Sequence, residues 1–241
     1  MHKLSLVIPC YNEAQNLVAL IARCKEVTSA INAEVIIVDN GSLDDSPEIL
    51  QDLLADQAAV RTIRLEENRG YGFGILAGLQ VAEGDVLAWT HADMQTDPMD
   101  AVTGFALFKA PQNQNWLFVK GQRYGRPFGD LIFTTGMAIF ETILMRKGMW
   151  DINAQPTMFT RQFFETWKDP PHDFSLDLFA YYIARGSNID VKRFPVNFAM
   201  RAHGSSHWNI NWATKCKFIL RTISYSIELR RRFIVTGSGS N

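Results

Sequence analysis

Three apolar runs, Leu4-Ser5-Leu6-Val7-Ile8, Val35-Ile36-Ile37-Val38 and Asp85-Val86-Leu87-Ala88-Trp89, each break off into a short polar string. The runs have the length and composition of buried strands, and the first two are followed by segments with helical periodicity. The polar strings are Pro9-Cys10-Tyr11-Asn12-Glu13, Val38-Asp39-Asn40-Gly41-Ser42 and His91-Ala92-Asp93-Met94-Gln95. Such alternation admits little besides βαβ winding around a mainly parallel sheet. It also places all three strings at the carboxyl ends of strands, the edge where open α/β sheets bind ligands.

The full reading gives strands at 3–8, 34–38, 60–65 and 85–90 and helices at 13–31, 46–56, 72–82 and 98–109. The pattern then loosens into a strand near 116–121, a helix over 131–146, a short helix near 159–164, a helix over 174–185 and a strand over 189–193. No repeat or linker marks a second globular unit. The expected organisation is one domain over 1–209, a basic amphipathic helix over 210–233 and a flexible tail over 234–241. With 241 residues, 47% of them apolar, and a net charge of −1, the chain can build one sizeable core and lacks the basic excess of a nucleic-acid binder.

Cys10, Cys24 and Cys216 show no paired spacing, which argues against a disulfide scaffold or a cysteine zinc site and points to a reducing, cytoplasmic setting. The N-terminal residues lack the charged-then-apolar pattern of a secretory signal. The apolar stretch from Thr135 to Met145 is interrupted by Glu141 and falls short of the roughly 20 residues that span a bilayer. From Trp212 to Phe233, apolar side chains mix with Lys215, Lys217, Arg221 and Arg230-Arg231-Arg232. A helix of this kind either lies on the anionic inner face of a membrane or packs on its own domain with a solvated basic end.

Asp39 follows four apolar residues and precedes Asn40-Gly41-Ser42. A carboxylate there can accept the N–H of a nucleobase, with Gly41 turning the chain and Ser42 capping the next helix. The same string also makes an ordinary strand-ending turn. Asn68-Arg69-Gly70-Tyr71-Gly72-Phe73-Gly74 would let backbone approach a phosphate at a helix N-terminus, although its position departs from the dinucleotide fingerprint. Asp93 is the candidate metal ligand, because a hard cation bridging two phosphates needs only one or two protein carboxylates. His91 shares its side of an extended strand end, as a second ligand or a hydrogen-bonding neighbour. Asp100 is a further neighbour, whereas Asp97 precedes Pro98 and reads as a helix cap. In the loop Trp150 to Pro156, Asn153 and Gln155 either meet sugar hydroxyls or satisfy local backbone.

Together these strings resemble the family-2 inverting glycosyltransferases of the GT-A fold, and among them the polyprenyl-phosphate glycosyltransferases, the dolichyl-phosphate mannose synthase group included. The resemblance covers most of residues 4–208. It runs through Pro9, Tyr11, Asn12 and Glu13, Asp39 to Ser42, Asn68, Gly70 and Gly72, Ala92, Asp93 and Gln95, and Gly121 with Arg123. It continues through Phe174-Ser175-Leu176-Asp177, the strand from Ile189 to Val196, Arg201 and Gly204-Ser205-Ser206.

The resemblance implies a single GT-A domain, an α/β fold with a Rossmann-like nucleotide-binding sheet flanked by helices. It implies metal-dependent inverting transfer of a sugar from a UDP- or GDP-sugar to undecaprenyl or dolichyl phosphate. Pro9, Tyr11, Glu13, Asp39, Gly70 and Ala92 would bind the nucleotide, and Asp93 with His91 would hold Mg²⁺ or Mn²⁺. Asp93, Arg123, Asp177 and Arg201 would form the catalytic set. Gln95, Arg123, Arg201, Ser206 and His207 would contact the acceptor phosphate.

Four departures qualify the pattern. His91 stands where the family usually has an aspartate, and His207 replaces a lysine, turning a fixed charge into one that titrates near neutral pH. Asp177 is a shorter acid than usual. The helix at 131–146 lacks its customary opening arginine, for which Arg126 is a candidate substitute. A lipid monophosphate arrives as an anion and needs cationic positioning more than a base. A sugar hydroxyl, the alternative acceptor, would make Asp177 the base. Two further readings are a nucleotidyltransferase, though no glycine- and lysine-rich loop follows the first strand, and a non-catalytic sugar-nucleotide binding module.

Overall fold

The computed structural model describes residues 3–109, 116–125, 128–187, 189–199 and 212–237. Strand β1 (Leu4–Cys10) pairs in parallel with β2 (Ala33–Asn40), every residue of which is buried. Burial on both faces is why these strands read as continuous apolar runs. β3 (Val60–Leu65) lies parallel beyond β2, and β4 (Val86–Trp89) lies parallel on the other side of β1. β5 (Leu117–Tyr124) and β4 both run antiparallel to β6 (Thr157–Thr160), and β7 (Asp190–Asn197) runs parallel to β5. The seven strands form one sheet in the order β3-β2-β1-β4-β6-β5-β7.

Alternation along the strands divides the core between two faces. Leu4, Leu6 and Ile8 of β1 and Val35 and Ile37 of β2 join Leu17, Leu20 and Ile21 of α1 (Ala14–Ala30), Leu50 of α2 (Ser46–Leu54) and Phe105 of α4 (Asp100–Ala106). Val7, Ile36 and Val38 face the other way, into a cluster with Ile75 and Leu79 of α3 (Tyr71–Val81) and Leu176 and Phe179 of α7 (Ser175–Gly186). Each such side chain contributes roughly 1.5–3 kcal/mol by leaving water. A β-carbon at Gly78 would overlap Val7 and Val38, so α3 lies unusually close to the sheet.

The main departure from expectation is β6. The short helix expected near 159–164 is present as α6 (Arg161–Glu165), but a strand that was not anticipated, Thr157–Thr160, precedes it. All four strand residues are buried between β4 and β5. A four-residue segment, two threonines around Met158 and Phe159, carries too little periodicity to separate strand from helix. Smaller differences lie at element ends. α4 gives way to a 3₁₀ turn at Leu107–Lys109, and α5 (Phe128–Met145) begins before 131. β7 continues through Pro195, which an edge strand tolerates.

α8 (Trp212–Gly237) packs against α5 and α7, burying Leu229, while Leu220 and Arg231 stay exposed. Packing on the domain is thus observed, and the helix includes the first residues of the stretch read as a tail. Residues 238–241 lie outside the described residues. Cys10 and Cys24 are buried free thiols, and burial pushes that of Cys24 up to about 12. Among the described residues no helix is long and apolar enough to cross a membrane.

Candidate active site

The carboxyl ends of β1, β2 and β4 share one edge of the sheet, and their loops are stitched together there. Backbone N–H groups of Asn12 and Glu13 donate to the hydroxyls of Ser42 and Ser46 at 3.0 and 3.1 Å, and Ala14 N–H donates to Asp44 Oδ2 at 3.1 Å. In return Leu43 N–H donates to Asn12 Oδ1 at 2.8 Å. Orphan donors at the start of α1 are thus capped by the second loop, not by Glu13. Glu13 accepts from Asn16 Nδ2 at 2.6 Å instead. Asn12 itself sits at φ 55°, a left-handed conformation that asparagine accepts more readily than most residues.

Asp39, the penultimate residue of β2, is only 1% exposed. Its Oδ1 accepts the Ser42 N–H at 2.9 Å, while Oδ2 is buried without a hydrogen bond and faces Arg64 Nε at 3.5 Å. A buried carboxylate oxygen lacking a donor is costly, and a ligand N–H would satisfy it. Pro9 and Tyr11, half-buried at the end of β1, flank this position.

The glycine segment packs against the protein's own backbone. Gly70 sits at φ 109°, and a β-carbon there would stand 2.5 Å from the His172 carbonyl oxygen; at Gly72 it would collide with the Pro171 and Asp173 carbonyls. Phe73 N–H donates to that His172 carbonyl at 2.9 Å. The glycines therefore admit the protein's own 171–173 backbone to the start of α3, where a phosphate was anticipated. Asn40 Nδ2 fixes the segment by donating to the Gly70 carbonyl at 3.0 Å.

Beyond β4, Asp93 is 6% exposed and its Oδ1 accepts the Gln95 N–H at 3.1 Å. Ala92 is buried beside it, and Met94 is forced to φ 58°. Such non-glycine backbone outliers cost of order 1–3 kcal/mol and cluster at functional sites. The Thr90 and Thr96 hydroxyls, 3.1 Å apart, close the loop. Asp97, read as a helix cap, sits earlier: it accepts the Met99 N–H at 2.9 Å and pairs with Arg23, while Met99 is the N-cap residue of α4. Beside it, burial and the Asp97 charge push Asp100 up to about 6.

The His91 ring stacks on Tyr71 at 5.5 Å, and Tyr71 stacks on Phe174 at 4.7 Å. Among the described residues no three His, Cys, Asp or Glu side chains converge to hold a metal alone. A near-buried carboxylate with an imidazole two residues away suits a divalent cation that draws its remaining ligands from phosphate oxygens.

Three sequence-derived positions are engaged within the protein. Arg123 makes a fork to Asp151, donating through Nε and Nη2 to Oδ1 at 2.9 and 2.6 Å, and its guanidinium lies over Phe198. Gln95 exchanges bonds with Ala199, Nε2 to carbonyl at 3.3 Å and N–H to carbonyl at 2.9 Å. Asp177 is 2% exposed, and its Oδ1 accepts from Gln155 Nε2 at 2.8 Å and from Lys120 Nζ at 3.3 Å. Gln155 thus faces Asp177, while Asn153 is exposed. Arg126, Arg201, Ser206 and His207 lie outside the described residues. Sequence reasoning missed Tyr71, Lys120, Asp151 and Arg193 as parts of this region. The one available signal was Lys120, a lone charge closing the apolar run Leu117-Phe118-Val119.

The model of the family described as "Glycosyl transferase family 2" matches residues 5–168. The chain belongs to glycosyl transferase family 2. Among curated relatives of this family 2 chain, an undecaprenyl-phosphate 4-deoxy-4-formamido-L-arabinose transferase from Pseudomonas fluorescens (strain SBW25) is 38% identical over 103 residues, 41% of this chain and 30% of the relative. A dolichol-phosphate mannosyltransferase from Pyrococcus furiosus is 26% identical over 222 residues, covering 85% of this chain and 58% of the relative. The family 2 chain therefore spans between three-tenths and three-fifths of these relatives' length. Glucosyl-3-phosphoglycerate synthase from Mycobacterium tuberculosis, solved with Mn²⁺, UDP and glucosyl-3-phosphoglycerate, superposes with a TM-score of 0.68 at 15% identity over 94% of this chain and 80% of that one. The shared fold is GT-A.

Proposed function

We propose that this family 2 chain is a metal-dependent inverting glycosyltransferase that moves a sugar from a nucleoside-diphosphate sugar to a polyprenyl phosphate. The observation that carries the reading is the placement of two near-buried carboxylates, Asp39 and Asp93, at one sheet edge on either side of β1. Two strand spacings separate their strands, about 10 Å, a span suited to a nucleoside diphosphate lying across the β1 loop.

In this reading the orphaned Oδ2 of Asp39 accepts a nucleobase N–H, and Pro9, Tyr11, Glu13 and Gly70 shape the base and ribose pocket. Asp93, with His91 beside it and Ala92 against the ribose, would hold a divalent cation, which supplies Lewis-acid neutralisation of the departing diphosphate. Mn²⁺ is the first ion to try, since the glucosyl-3-phosphoglycerate synthase was solved with it. Arg201, Ser206 and His207 are assigned to the acceptor phosphate on the motif match. Arg123 acts as a positioning residue through Asp151, and Gln95 through Ala199. The polyprenyl-phosphate acceptor is inferred from the names of the two curated relatives. α8, with Arg231 and Leu220 exposed, would rest on the anionic face of the membrane that holds such a lipid.

The test is incubation of the protein with sugar-labelled UDP- and GDP-sugars, Mn²⁺ and undecaprenyl phosphate, followed by organic extraction. Label entering the organic phase with release of nucleoside diphosphate is the expected result. Release of pyrophosphate would indicate nucleotidyl transfer, and donor that binds but is never consumed would indicate a binding module.

A further inference from the structure

One charged side chain of β5 points into the sheet interior. Lys120 is 0% exposed, and its ammonium donates to Thr157 Oγ1 at 2.5 Å and to Asp177 Oδ1 at 3.3 Å. The same Asp177 oxygen accepts from Gln155 Nε2 at 2.8 Å and from the Thr157 hydroxyl at 3.4 Å. Gln155 Nε2 also reaches the Tyr71 hydroxyl at 3.4 Å, and the Tyr71 ring lies between His91 and Phe174. The pair is sealed from solvent and connects through Gln155 and Tyr71 to His91 of the proposed metal loop.

Asp177 is held in place by what surrounds it. Three donors converge on one of its oxygens. Removing that carboxylate alone would leave the buried Lys120 ammonium without its ion-pair partner, a state proteins tolerate badly. Burial already pulls the Lys120 pKa down, and only the Asp177 charge and hydrogen bond, with a smaller contribution from Asp151, oppose that; Arg193 adds to the lowering.

We propose that Lys120 determines the acceptor class: it holds Asp177 as a buried counter-ion and so removes from proton abstraction the carboxylate that a hydroxyl acceptor would require. The inference rests on the glycosyl-transfer reading above and deepens it. With a phosphomonoester, an acceptor oxygen uses its own electron pair to form the new bond to the anomeric carbon as the bond to the nucleoside diphosphate breaks. No proton has to move. With an alcohol, the hydroxyl proton must leave as that bond forms, and a base is needed to take it. The site is thereby confined to acceptors that arrive ionised.

The experiment assays wild type, Lys120→Met, Asp177→Asn and the double variant with one labelled nucleotide sugar and Mn²⁺, against farnesyl phosphate and farnesol, with circular dichroism to confirm folding. Wild type should glycosylate farnesyl phosphate and leave farnesol untouched. The double variant, in which both charges leave together, should be more heat-stable than either single variant and keep transfer to farnesyl phosphate within about tenfold. Folded Lys120→Met should gain farnesol glycosylation that the double variant lacks. The proposal is overturned by wild-type transfer to farnesol, by a folded Lys120→Met with no such gain, or by loss of phosphate transfer of about a hundredfold or more in the folded double variant, the size expected for a lost base. A wild type inactive with both acceptors overturns the glycosyl-transfer reading itself, and this proposal with it.

Discussion

Asp39 shows how a single side chain is prepared for a ligand. Ser42 N–H turns its carboxylate by holding Oδ1, which leaves Oδ2 buried and without a hydrogen bond. Asp39→Asn keeps the shape and removes the charge. A hydrogen bond to a charged group contributes about 1.5–3 kcal/mol, so nucleotide affinity should fall about ten- to a hundredfold, read by calorimetric titration, with little change in melting temperature. Unaltered affinity would remove Asp39 from the nucleotide site. Asp39 and Asp93 were legible in the sequence because each lies in a polar string that follows an apolar run, and the resemblance carried by all three strings lifted them above ordinary strand-ending turns. Lys120 was visible as an oddity but its partner was not, since Asp177 lies 57 residues further on and periodicity carries no information about such pairings. Arg123 was read as a phosphate contact from the resemblance at Gly121 and Arg123, and its planar fork suits phosphate. The same fork suits a carboxylate, and Asp151 occupies it.

At the scale of elements, segments long enough to show a period were readable and short ones were not. α1, α3 and α7 emerged from their apolar spacing, whereas β6, four residues long, was not read as a strand. The glycine segment was recognised as a place of close approach, yet what approaches is the 171–173 backbone, a tertiary fact absent from local sequence. The α5–α8 contact carries a prediction of its own. Glu141, the residue that interrupts the apolar stretch of α5, is fully buried; its Oε1 accepts the Ser226 hydroxyl at 2.7 Å and its Oε2 has no hydrogen bond. Burial raises its carboxyl from 4.5 to about 7, with the Ser226 bond acting weakly the other way. The folded chain thus binds this proton more tightly than the unfolded one. The corresponding stability is full below the unfolded value and is lost as pH climbs through about 7, by on the order of 3 kcal/mol at most. Glu141→Gln should therefore gain melting temperature relative to wild type as pH rises from about 5 to about 8. A gap between the two that stays constant with pH would contradict the assignment.

For the molecule as a whole, the division of the sheet explains which half could be read. β3, β2, β1 and β4 are all parallel and joined by local crossovers, so their order and shared edge followed from βαβ alternation. Beyond β4 the chain makes β5 and only later inserts β6 between β4 and β5, an arrangement set by long-range pairing. The parallel half carries both carboxylates on which the account turns. The most direct test is calorimetric titration of UDP and GDP, with and without Mn²⁺, into wild type and Asp93→Asn. Binding of one nucleotide that depends on the metal in wild type and loses that dependence in Asp93→Asn is the predicted result. Metal-dependent binding that survives the substitution intact, or binding of neither nucleotide, would contradict the account.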